Sequence, residues 1–109
     1  MRLVTIILTI IILSTSLKAE KLTVYTYDSF VSEWGPGPIV EKVFEDKHEI
    51  DLQLIAVDSA ATLLNKIILE GENTKADIVL GLDMNLFNAA ENSDLFVPHN
   101  IKNINNKNF

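Results

Sequence analysis

Cysteine is absent from all 109 residues, which removes disulfides, thiolate catalysis and sulfur-ligated metal together. Basic residues are scarce. Nine lysines and arginines face fifteen aspartates and glutamates, a formal net charge of −6, so no basic face is available to neutralise phosphates and nucleic acid is not an expected partner. The two histidines, His48 and His99, stand far from each other, and neither suggests a metal or catalytic site. Ser29 and Ser32 do not lie in Gly-x-Ser-x-Gly and have no histidine nearby, which leaves a serine hydrolase unsupported. No lysine follows Gly35-Pro-Gly-Pro38 in a P-loop arrangement, and its prolines remove backbone donors, so it is a poor phosphate cradle. No internal repeat is visible.

A membrane-spanning run is also missing. The longest apolar segment, Leu3 to Leu13, is interrupted only by two threonines and has eleven residues, against the roughly 18 that a span requires. It follows Arg2 and gives way to small and polar residues at Ser14 to Ala19, the order of a secretory signal peptide. Cleavage is expected after Ala19, with Ser16 as the alternative, and no cysteine is present for lipid attachment. Without Arg2 and Lys18, seven basic residues face fifteen acidic ones, a net charge of about −8 that would draw in a cation. The 90 residues that remain suffice for one small domain and not for two lobes with a cleft between them.

What is present is an alternation of strand and helix patterns. Lys21 to Thr26 reads as a first strand, and Pro38 to Lys47 as a helix with Val40, Val43 and Phe44 on one face. Ile50 to Val57 reads as a second strand that becomes wholly apolar, and hence more deeply buried, toward its carboxyl end. Asp58 or Ser59 can cap the next helix, whose stripe is Leu63, Leu64, Ile67 and Ile68 and whose stop is Gly71. Ala76 to Leu80 reads as a short buried strand, and about Asn85 to Asn92 as a helix burying Leu86, Phe87 and Ala90. The fold class is therefore α/β, a partial doubly wound parallel sheet in the order β-α-β-α-β-α with right-handed crossovers. A lobe over residues 20–98 and a disordered, asparagine-rich tail over 99–109 complete the expected organisation.

In an open parallel sheet a ligand lies outside the carboxyl ends of the strands. The stretch Tyr25 to Pro38 leaves the first of these ends with two tyrosines, a phenylalanine and the single tryptophan. Beside them stand Asp28, Ser29, Ser32 and Glu33, a set suited to a flat, polar, cationic molecule. Tyr25 and Phe30 read better as core residues, whereas Trp34 has no apolar periodicity around it, which favours display. Asp28, Asp58 and Asp83 leave the three strand ends; they could hold Mg²⁺ or serve as acid and base, but Asp58 and Asp83 fit more simply as helix N-caps. An exported α/β enzyme is the weakest reading, because no nucleophile and base can be paired.

Thr23-Val-Tyr-Thr-Tyr-Asp-Ser-Phe30, Trp34-Gly-Pro-Gly-Pro38, Leu63-Leu-Asn65 and Lys75-Ala-Asp-Ile-Val-Leu-Gly-Leu-Asp83 together resemble the thiamine-binding periplasmic proteins of ABC importers. The likeness runs from about Leu22 to Phe96. It implies an incomplete first lobe of a periplasmic-binding-protein-like fold, with strand order 2-1-3, a permease as partner, and thiamine or its phosphates as transported ligand rather than a bound cofactor. By the same resemblance Tyr27 and Trp34 match aromatic positions near the ligand, and Ser59 and Ala60 match a contacting turn, although an acidic-glycine pair is expected there. Asp28 and Asp83 would offer acceptors to the aminopyrimidine or charge to the thiazolium. Family members continue through a second lobe, so a truncated remnant without transport activity is the alternative function.

Overall fold

The computed structural model describes residues 19–102. The leader expected over residues 1–19 lies outside the described residues except for Ala19, as does the expected tail beyond Lys102. Three parallel strands form one sheet in the order β2-β1-β3: β1 is Lys21–Tyr27, β2 is Asp51–Val57 and β3 is Ile78–Val79. The expected order and direction are both observed. Between β1 and β2 lie α1 (Asp28–Val31) and α2 (Gly37–His48). The β2–β3 crossover carries α3 (Ala60–Glu70), and α4 (Phe87–Glu91) follows β3.

β1 is central, and alternation sends its side chains to opposite faces. Tyr25 and its β3 partner Val79 pack beneath α3 with Leu63 and Ile67, joined by Val57, Leu82 and Leu95. Val24, with Leu22, Leu52 and Leu54, faces α2 across a hollow of about 190 Å³ that Phe30, Val40 and Phe44 also line. Asp77 clamps β3 onto β1: its Oδ2 accepts from the Thr23 N–H at 2.8 Å, while its own N–H donates to the Thr23 carbonyl at 2.9 Å. Glu45 ties α2 to the sheet by accepting from the Leu52 N–H at 3.0 Å.

Several burial expectations fail, for one reason. Val40 and Val43 on α2, Ile68 on α3, Ile55 near the carboxyl end of β2, Ile78 and Leu80 around β3, and Phe87 on α4 are all exposed. A periodic pattern marks the face that an element can bury, but burial needs a second layer, and the described residues do not supply one there. β3 and α4 are also shorter than expected, since Ala76 and Asp77 precede the ladder and Met84–Leu86 form a turn.

Two features of this frame lead to expected outcomes. Thr26 is fully buried and its Oγ1 has no hydrogen-bond partner among the described residues, which costs about 1–3 kcal/mol of desolvation. Thr26→Val keeps the shape and removes the orphan oxygen. It should raise the urea midpoint, by about 1 kcal/mol in stability at unchanged m; a lower midpoint would show that the hydroxyl is satisfied.

On the other face, Glu70 accepts from Lys66 Nζ at 2.6 Å, from Thr74 Oγ1 at 2.9 Å and from the Tyr25 hydroxyl at 3.4 Å. Lys66 also lies 4.9 Å from the centre of the Tyr25 ring. The Lys66 hydrogen bond, helped by Thr74 and Tyr25, holds the Glu70 carboxyl below its ordinary range against a smaller opposing effect of burial. A carboxylate depressed in the folded state stabilises it above the unfolded pKa and loses that contribution as pH falls through the folded pKa. Stability should therefore decline on acidification below about pH 4.5, and Glu70→Gln should flatten that part of a urea-midpoint profile. An unchanged acid limb in the variant would count against the cluster.

Candidate ligand-binding site

Parallel pairing brings the three strand exits to one edge. Tyr27 pairs with Val57 and Tyr25 with Val79, so the turn before α3 and the loop after β3 flank the end of β1. Tyr27 is half-buried and meets Phe30 edge-to-face, with ring centres 6.2 Å apart. It also rests on Gly81, where an added Cβ would lie 2.2 and 2.3 Å from ring atoms Cε1 and Cδ1. Phe30 is thus both a sheet-facing residue and a brace for Tyr27.

Asp28 opens α1, a single helical turn; its carbonyl accepts from the Ser32 N–H at 3.1 Å and the residue is exposed. The loop then folds back across α1. A Cβ on Gly35 would stand 2.3 Å from the Ser29 carbonyl oxygen, and one on Gly37 would stand 2.6 Å from that of Phe30. Only glycine allows backbones so close. The Gly35 N–H donates to the Ser32 carbonyl at 2.9 Å and Ser32 Oγ to the Ser29 carbonyl at 3.0 Å. This bracing displays Trp34, which is 81% exposed.

At the end of β2 it is Ser59, rather than Asp58, that caps α3. Its Oγ accepts from the Thr62 N–H at 3.1 Å and lies 3.0 Å from Thr62 Oγ1, so the hydroxyl is engaged in capping. Ala60 is the first residue of α3 and half-buried. Asp83 also acts as a turn cap: Oδ1 accepts from the N–H groups of Asn85 and Leu86 at 2.9 and 3.2 Å. Its carboxylate borders a hollow of about 520 Å³ with Leu82, Met84, Phe87 and Phe96. Among the described residues no three His, Cys, Asp or Glu side chains gather as a group that could hold a metal ion.

The residues missed in the sequence are Gly81 and Asp77. Gly81 adopts φ +107°, and the only hint of it was a glycine between Leu80 and Leu82 after an apolar run. Asp77 lies, with Gly81, in the Lys75–Asp83 motif that carries the resemblance, but nothing local marked it beyond a carboxylate before two β-branched residues. Chemically, the edge offers one seated tyrosine ring, one displayed indole, and the carboxylates of Asp28 and Asp83. That set can stack on a flat ring and accept hydrogen bonds from it.

No protein-family model matches the chain. The thiamine-binding periplasmic protein of Escherichia coli K12 is 51% identical over 80 residues, which are 73% of this chain and 24% of that protein. Its counterpart from Brucella abortus is 51% identical over 88 residues, covering 81% and 26%, and that of Haemophilus influenzae is 46% identical over 83 residues, covering 75% and 25%. A solved periplasmic thiamin binding protein superposes with a TM-score of 0.70 at 51% identity, over 75% of this chain and 26% of the other. These relatives are binding proteins by name. By sequence and by fold, this chain is a relative of the thiamine-binding periplasmic proteins that spans about a quarter of their length.

Proposed function

We propose that this chain supplies one wall of a site for thiamine, or its phosphates, in a periplasmic solute-binding protein that serves an ABC permease. The observation that carries this reading is the exposed Trp34 on a glycine-braced loop beside the sheet edge that seats Tyr27. Thiamine combines an aminopyrimidine, which donates hydrogen bonds, with a cationic thiazolium. Indole and phenol faces attract such a cation, and Asp28 and Asp83 accept from the amine or balance the charge. The net negative charge steers it inward.

Trp34 is the single tryptophan, so its fluorescence reports the site directly. Thiamine should quench it, and a neutral heterocycle of similar size should do so much less. Equal quenching by both would remove the thiamine assignment. Export by the leader belongs to the same reading, and an exported product whose mass retains Met1 would refute removal of that leader.

A remnant without transport activity is the second reading. It is favoured by the exposed Ile78, Leu80 and Phe87 around β3, an apolar surface that suits one part of a larger folded body. Restored thiamine uptake in cells lacking their own binding protein would argue against the remnant.

A further inference from the structure

We infer that Gly81 is a positioning residue for the ligand: the missing side chain there makes the seat in which the Tyr27 ring is held. The inference rests on the thiamine reading above. Three constraints meet at this residue. Its φ of +107° lies in the region that side-chain-bearing residues rarely adopt. The volume that a Cβ would fill is taken by the Cδ1–Cε1 edge of Tyr27, 2.2–2.3 Å away. The backbone just before it is anchored, because the Leu80 N–H donates to the Tyr25 carbonyl at 2.9 Å. Moving Gly81 away from the sheet to make room would strain that hydrogen bond.

A second aromatic ring also touches Tyr27. Phe30 meets it edge-to-face at 6.2 Å and belongs to α1, onto which the loop bearing Trp34 folds through Gly35 and Gly37. A side chain at position 81 must then either rotate the tyrosine about χ1 or displace the β3 exit. That exit carries Asp83, whose Oδ1 is fixed to the N–H groups of Asn85 and Leu86. Either response changes the spacing between the ring of Tyr27 and the carboxylate of Asp83, the two groups proposed to face one ligand from adjacent strands. Gly81 itself contributes no contact; it acts through Tyr27.

The test compares the chain with Gly81→Ala, Tyr27→Leu and the double variant, using nuclear magnetic resonance shifts during titration with thiamine. The unsubstituted chain should show a nuclear Overhauser effect from Gly81 Hα to the Tyr27 ring protons. Each single substitution should weaken thiamine binding about tenfold, the worth of one aromatic contact. The double variant should be no weaker than Tyr27→Leu, since the ring through which Gly81 acts is already gone. Unchanged affinity in Gly81→Ala, or multiplied losses in the double variant, would overturn the inference. If Gly81→Ala does not fold, the Overhauser effect and a ring-current shift of Gly81 Hα that disappears in Tyr27→Leu still decide it, and their absence refutes the seat. Thiamine that shifts no resonance of the unsubstituted chain even near its solubility limit, while the Overhauser effect is present, would defeat the thiamine reading and leave the seat established.

Discussion

Replacing Leu63 by alanine is expected to remove most of the chain's stability at 25 °C. Leu63 is 0% exposed and, with Tyr25 and Ile67, forms the centre against which Val57, Val79, Leu82 and Leu95 pack. It thereby joins α3 to residues from all three strands and to the segment after α4. Loss of a fully buried leucine costs about 3–5 kcal/mol, made up of lost transfer energy and an unfilled cavity. Small domains bury a modest share of their surface, and their whole stability lies near the low end of about 5–15 kcal/mol. The substitution therefore removes most of it. Ile68→Ala is the matched control on the same helix, because Ile68 is 46% exposed and should cost less than about 1 kcal/mol. Urea unfolding followed by circular dichroism measures both, and equal midpoints would show that the core has been wrongly located.

Thiamine should bind this chain with a dissociation constant in the millimolar range or weaker. A ligand closed between two walls loses water on both faces, whereas the edge described here covers one face and leaves the other wet. The indole of Trp34, 81% exposed, contributes on the order of 1 kcal/mol by stacking, against several kcal/mol for the ligand's lost freedom. The attraction of a net charge of −6 is screened beyond roughly 8–10 Å at physiological salt. Calorimetry or fluorescence at millimolar thiamine measures the affinity. Trp34→Ala should weaken it about fivefold to tenfold and leave the urea midpoint unchanged, since the ring supports no core contact. Micromolar binding that depends on Trp34 would mean that one wall suffices or that two copies rebuild a cleft.

The elements were legible wherever chemistry is local. The strand ending at Val57, the helix with its Leu63, Leu64 and Ile67 stripe, and Gly71 past the end of α3 rest on patterns of a few residues and stand where those patterns placed them, whereas the sequence leaves open the choice of Ser59 over Asp58 as the cap. The order β2-β1-β3 came with the family resemblance, since crossover handedness fixes the sense of each connection and not the side on which the next strand lies. The turn α1 was not legible, because four residues, Asp28–Val31, are too few to show a helical period. Burial was legible as a preference only. Ile55 and Val43 lie on apolar patterns and are exposed, since a pattern names the face but not whether another layer covers it.

For the site, residue types along the chain were enough to mark an acidic, aromatic-rich edge at the strand exits and to single out Trp34 for display. Composition and periodicity act through nearest neighbours, and display of an isolated ring is a local property. The tertiary structure added the committed hydroxyl of Ser59, the capping duty of Asp83 and the seat that Gly81 makes for Tyr27. Hydrogen bonds compete for each polar atom, and close contacts depend on which strands come level. Both are settled only when residues distant in sequence share one edge of the sheet.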